Sequence, residues 1–240
     1  MGMSINMKVT PNWSTPMGQC TYPAYRELNP RLAHLLKQKK AQGNKHKNKK
    51  AWPNKGGQQW ESEFDLFTHP EPEIRELAVF CDQAVRFMVR ATATEPVPAD
   101  SNIATVYEAW FHVTGYGGYQ SVHDHGSCAW CGVYCVQAGD VDRTIEPYSG
   151  CTKFYNPRRS ANCHYEGRYD PGLMVERPIY IRPEDGMLLL FPNYVLHEQT
   201  PYFGQSERIV VAFNCRVLTA MIQPYAEAAS MSATSVTSSP

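Results

Sequence analysis

From Asn102 to Val217 the chain alternates short β-rich runs with turns rich in Gly, Pro, Asn and Asp. The runs are Thr105–Val113, Tyr119–His125, Ala129–Val136, Thr152–Tyr155, Met174–Ile181, Met187–Phe191 and Arg208–Val217. Seven or more short strands at this spacing leave a sandwich or a barrel as the available architectures. The expected fold class is therefore mainly β. Upstream, Leu32, Leu35 and Leu36 within Arg31–Lys40 recur at helical spacing. A second helix opens on Pro70, Glu71, Pro72 and Glu73, a proline-led acidic first turn. Its apolar stripe is Ile74, Leu77, Ala78, Cys81, Val85 and Met88.

The 240 residues suit one large domain, which buries enough surface to need no disulfides. The expected organisation is a loosely structured segment over 1–28, a single domain over 29–225 and a disordered low-complexity tail over 226–240. Within the domain, 29–100 is expected to be helical, with a lysine-rich surface loop at 37–55, and 102–219 forms the β core. No apolar run approaches the roughly 20 residues of a bilayer span. The first residues lack a secretory hydrophobic core, so a cytoplasmic location is expected.

The zero net charge hides an uneven distribution. Arg31 to Trp60 holds eight lysines, one arginine and no acidic residue. The remainder carries 14 basic against 23 acidic residues, an excess of 9 negative charges. That balance disfavours a nucleic-acid partner, and no folded nucleic-acid motif accompanies the lysines. The sequence leaves a homo-oligomer open. Of eight cysteines, Cys128 and Cys131 form a C-x-x-C with no second pair to complete a zinc site. They are expected to pack as small apolar side chains.

Three of the eight histidines stand out. His123 and His125 are two apart in a glycine-flanked strand, so both project from one face and Asp124 from the other. His197 follows the apolar run Met187–Phe191 and a Pro192-Asn193 turn. A barrel brings such distant strands together, and three imidazoles suit Fe, Zn, Cu or Ni. Arg208 opens the apolar strand Arg208–Val217. A guanidinium aimed into a barrel needs an anion to offset its desolvation, and its planar fork matches a carboxylate.

These residues resemble the Fe(II)/2-oxoglutarate-dependent oxygenase superfamily. Within it they are similar to a group patterned Gly-Tyr-Gln, His-x-His, Ser-Gly-Val-Tyr-Tyr. The chain reads Gly118-Tyr119-Gln120, then His123-Asp124-His125, then Cys131-Gly132-Val133-Tyr134-Cys135. Phe154-Tyr155-Asn156-Pro157-Arg158 and the stretch from Arg182 to Asn214 resemble further blocks of the group, and Asn54 to Ser62 resembles its N-terminal element. The likeness runs from about Asn29 to Val217.

The resemblance implies a double-stranded β-helix (jelly-roll, cupin-like) core with flanking N-terminal α-helices. It implies Fe(II) on His123, His125 and His197, with Arg208 holding the distal carboxylate of 2-oxoglutarate. Tyr134 and Asn214 are further expected cofactor contacts. Arg158, Tyr155, Trp110 and Tyr119 are expected to meet the substrate, a small molecule or a peptide side chain. The implied reaction consumes O2 and 2-oxoglutarate, hydroxylates a C–H bond and releases succinate and CO2. The usual triad of this superfamily has a carboxylate where His125 stands, and Asp124 reaches the metal only if a bulge at Gly126 re-aims it. His112 and His164 lack a partner at ligand spacing and read as packed or surface residues. Two other readings stay open: a metal-dependent cupin enzyme that does not use 2-oxoglutarate, and a non-enzymatic binding module on the same barrel.

Overall fold

The computed structural model describes residues 14–50, 55–98, 101–158 and 178–219. The expected tail at 226–240, the run 174–177, His164 and Cys163 lie outside them. Two antiparallel sheets form the core. The larger is ordered β1 (Gly18–Thr21), β9 (Met187–Pro192), β6 (Trp130–Gln137), β11 (Arg208–Thr219), β4 (Ile103–Thr114) and β3 (Gln59–Glu61). The smaller is ordered β2 (Lys55–Gly56), β5 (Gly118–His123), β10 (His197–Tyr202), β7 (Thr152–Phe154) and β8 (Ile179–Ile181). The chain is a mainly β, double-stranded β-helix protein, as expected. No helix among the described residues is long and apolar enough to cross a membrane.

Period-two alternation splits the larger sheet between two cores. On β11, Ile209, Val211 and Phe213 turn outward to the helices α1 (Tyr25–Ala41) and α2 (Pro72–Thr92). Arg208, Val210 and Ala212 turn inward, toward the smaller sheet. Strand β9 is buried along its whole length. Its Leu188 and Leu190 pack on the helical side, and Met187, Leu189 and Phe191 pack between the sheets with Phe154. That double burial explains its unbroken apolar sequence. Gly132 lets β6 pass Phe213 closely, since a β-carbon there would run into the Phe213 ring.

Several boundaries differ from expectation. The segment 1–28 holds β1, an edge strand paired to β9, and the first turn of α1. Helix α1 starts at Tyr25 rather than Arg31, because Leu28 is fully buried and continues the stripe of Leu32 and Leu36. The lysine-rich stretch is not simply a loop. It begins as the last turn of α1, where buried Lys39 pairs with Glu71 at 2.6 Å and Lys40 with Glu207 at 2.5 Å.

Helix α1 is fastened to β6 by a buried side chain. Asn29 donates through Nδ2 to the Val136 carbonyl at 2.8 Å and accepts from the Tyr134 hydroxyl at 2.7 Å. Asn29→Ala strands these groups away from water, which costs about 1–3 kcal/mol. Thermal unfolding should accordingly fall by about 2–12 °C for a domain of this size. An unshifted melting temperature would show that water replaces the side chain.

Candidate metal centre

Strands β5 and β10 lie side by side in the smaller sheet, with His123 and His197 directly opposite each other in the register. An irregularity follows, since the next pair is Gln199 with Gln120. His125 lies two residues beyond the end of β5. Its backbone N–H donates to the Asn193 carbonyl at 3.1 Å, which folds the segment back over the cavity. The ring centroids are 4.4 Å apart for His123 and His197, and 5.1 Å for His125 with either partner. Their ligand nitrogens all lie within 4.8 Å of one another.

The tautomers follow from the hydrogen bonds. Nδ1 of His123 donates to the Ser121 carbonyl at 2.7 Å, and Nδ1 of His197 donates to the Val195 carbonyl at 2.9 Å. Each proton is thus held on Nδ1, and each Nε2 presents a lone pair. The Nε2 atoms of His125 and His197 face each other at 3.4 Å. Two imidazole nitrogens bound at a right angle to one ion, each at about 2.1 Å, would be about 3 Å apart. Burial lowers all three pKa values, most for His197, and brings His125 to about 4; the mutual repulsion of the rings adds to this at His125 and His197. The cluster is neutral at pH 7 and has no proton to shed when a cation binds. Asp124 is exposed and takes no part. The donor set is three neutral imidazoles, a fit for a divalent first-row metal.

Arg208 lines the same cavity from the opposite sheet. It is 2% exposed, Nη1 donates to Oε1 of Gln199 at 2.8 Å, and Nε is buried with no hydrogen-bond partner. No carboxylate pairs with it among the described residues. A buried guanidinium left this way is a strong attractor for an anion.

Residues 108–214 match the family described as "Putative 2OG-Fe(II) oxygenase". That stretch contains all three histidines and Arg208. No curated protein matches the chain. Among solved structures, a prolyl-4-hydroxylase from Pseudomonas putida is 16% identical, with a TM-score of 0.55 over 85% of this chain and 93% of that one. A Trichoplax adhaerens prolyl hydroxylase, in complex with a hypoxia inducible factor oxygen degradation domain peptide fragment, is 12% identical. Its TM-score is 0.55 over 83% of each chain. HygX from Streptomyces hygroscopicus, with nickel and 2-oxoglutarate bound, is 12% identical, with a TM-score of 0.52 over 84% of this chain and 83% of that one. At these identities the likeness is one of fold.

The cavity between the sheets collects fewer of the expected residues than the histidine cluster does. Trp110 lines it, its ring 6.1 Å from that of His125. Tyr134 does not. It shares the outward parity of β6 with Trp130 and Val136, and its hydroxyl meets Asn29 on the helical side. Its expected contact with 2-oxoglutarate is therefore corrected, and Tyr134→Phe should leave 2-oxoglutarate affinity unchanged. Asn214 has the inward parity but lies farther along β11, in a separate groove with Glu108 and Cys128. Tyr155 also misses the cavity: its hydroxyl donates to Glu198 Oε1 at 2.7 Å, next to Lys153. Tyr119 is exposed and lies over Gly56 of β2. Arg158 is exposed, with its backbone N–H on Asn156 Oδ1 at 3.0 Å.

One pair at the cavity wall was not legible. His112, buried on β4, donates from Nε2 to Glu61 Oε2 at 2.7 Å, and Lys55 pairs with the other carboxylate oxygen. Burial alone raises the Glu61 pKa, but hydrogen bonds and charge from His112 and Lys55 outweigh it and hold the carboxyl at about 2. Burial keeps His112 below its ordinary value despite the carboxylate. A depressed carboxyl stabilises the fold above its unfolded value near 4.5, and that contribution is lost as pH falls toward 2. Denaturant midpoints across this window should decline less steeply in Glu61→Gln than in the wild type. Parallel profiles would mean that Glu61 adds nothing to acid stability.

Proposed function

We propose that this chain is an Fe(II)- and 2-oxoglutarate-dependent dioxygenase. It hydroxylates an unactivated C–H bond of a small molecule or a peptide side chain and releases succinate and CO2. His123, His125 and His197 hold the iron. Arg208 holds the distal carboxylate of 2-oxoglutarate. The observation that carries this reading is the combination of three convergent imidazole Nε2 atoms with a buried, carboxylate-free guanidinium in one cavity.

Iron held by these three imidazoles would supply dioxygen activation coupled to oxidative decarboxylation of the keto acid. The protein supplies position and exclusion. The Ser121 and Val195 carbonyls fix the rings of His123 and His197. Phe191, 4.6 Å from the His197 ring, and Trp110 keep one side of the centre apolar. Gln199 aligns the Arg208 fork across the sheets. A peptide or small-molecule substrate agrees with the peptide complex of one structural neighbour.

The all-imidazole donor set favours one second reading, a cupin-type metal enzyme that does not use 2-oxoglutarate. Incubation with Fe(II), ascorbate, O2 and labelled 2-oxoglutarate separates the two. We expect slow succinate formation even without a substrate. Iron binding with no succinate would favour the second reading, and no iron binding would remove both.

A further inference from the structure

Cys128 and Cys131 are free thiols whose sulfurs lie 3.6 Å apart. Their surroundings differ. Cys131 lies on β6, is 1% exposed and lines the metal cavity. Cys128 lies in the turn between His125 and β6, is half-buried, and faces a separate groove with Glu108, Ser127 and Arg216. Backbone hydrogen bonds fix this turn: Cys128 N–H donates to the Gly126 carbonyl at 2.7 Å and Ala129 N–H to the Cys215 carbonyl at 2.8 Å.

We propose that Cys128 and Cys131 are a reversible oxidation site, in which Cys128 is attacked by hydrogen peroxide and Cys131 closes a disulfide. The accessible sulfur and the sheltered one divide the two roles. The contact between the two sulfurs lowers the Cys128 thiol below the ordinary range and, with burial, raises that of Cys131. The thiolate is the reacting form, so the groove-facing sulfur reacts first. The Cys128 thiolate attacks one peroxide oxygen, the O–O bond breaks, and hydroxide leaves a sulfenic acid on Cys128. Cys131 then attacks that sulfur and the S–O bond breaks. In sum, two thiols and one peroxide give one disulfide and two waters. An S–S bond of about 2.05 Å asks the sulfurs to close by about 1.5 Å. The bridge ties the turn that carries His125 to the base of β6. Attack comes from the groove and not from the metal cavity, so the step is independent of iron and of the function proposed above.

The test treats the full chain, stripped of metal and held in chelator, with hydrogen peroxide, then blocks remaining thiols with N-ethylmaleimide. Mass spectrometry of the fragment holding both cysteines should find it two hydrogens lighter, unalkylated, and restored by dithiothreitol. Exposed Cys20 is the internal reference, and Cys128 should react at least about tenfold faster. Cys131→Ser should give a dimedone adduct on Cys128, and Cys128→Ser should leave Cys131 a thiol. The proposal is overturned if both cysteines stay alkylatable after peroxide, or if the bridge forms only when iron is added. It is also overturned if Cys128 pairs with another cysteine or another chain.

Discussion

Replacing His197 by alanine should abolish tight iron binding. His197 meets both other imidazoles, stacked on His125 and opposite His123, and is 5% exposed. Removing only a partner that orients a ligand costs 10- to 100-fold in metal affinity, so removing a ligand should cost more than about a hundredfold. Anaerobic titration with Fe(II), or with Co(II) as a spectroscopic stand-in, reads this directly. Folding should survive, because Phe191 and Phe154 still close that side of the core. Unchanged metal content in a folded His197→Ala protein would end the assignment of all three ligands.

Arg208→Ala should leave metal affinity untouched and raise the 2-oxoglutarate requirement. Truncating one member of a buried, hydrogen-bonded charge pair costs about 2–5 kcal/mol, or roughly thirtyfold to several thousandfold in affinity. Arg208→Lys keeps the charge but loses the planar fork, so it should fall between. A second consequence separates binding from architecture. Without the keto acid, Arg208 is a buried cation with an unpartnered Nε, held below its ordinary pKa by burial. Its removal should not lower the stability of the ligand-free protein. If Arg208→Ala unfolds more easily and responds normally to 2-oxoglutarate, the guanidinium is structural.

What the sequence disclosed depended on which side chains each strand turns inward. Strands β4, β6, β9 and β11 carry apolar residues on at least one face, and their runs were readable. Strand β10 was missed. Its inward residues include His197 and Gln199, and Pro201 interrupts it, so the strand nearest the metal centre has no apolar alternation to read. The spacing of His123, His125 and His197 disclosed the cluster. The route to it differs from simple alternation, because His125 lies past the end of β5 and is turned inward by its bond to Asn193. Tyr134 was misplaced for want of parity. The parity of β6 is set by the tether to Asn29, a contact 105 residues away in sequence. The Glu61–His112 pair is likewise created only when β3 joins β4.

The imidazoles and the guanidinium hang from opposite sheets, and the bond between Gln199 and Arg208 spans them inside the cavity. The gap between the layers therefore works as a molecular caliper. If the proposed function holds, a keto diacid one methylene shorter or longer than 2-oxoglutarate should satisfy one end and strand the other. Trimming a side chain in the interlayer packing, such as Leu189 or Phe154, changes the caliper setting while each jaw stays intact. On that proposal, selectivity among keto acids should be tuned by residues that touch neither the ion nor the acid.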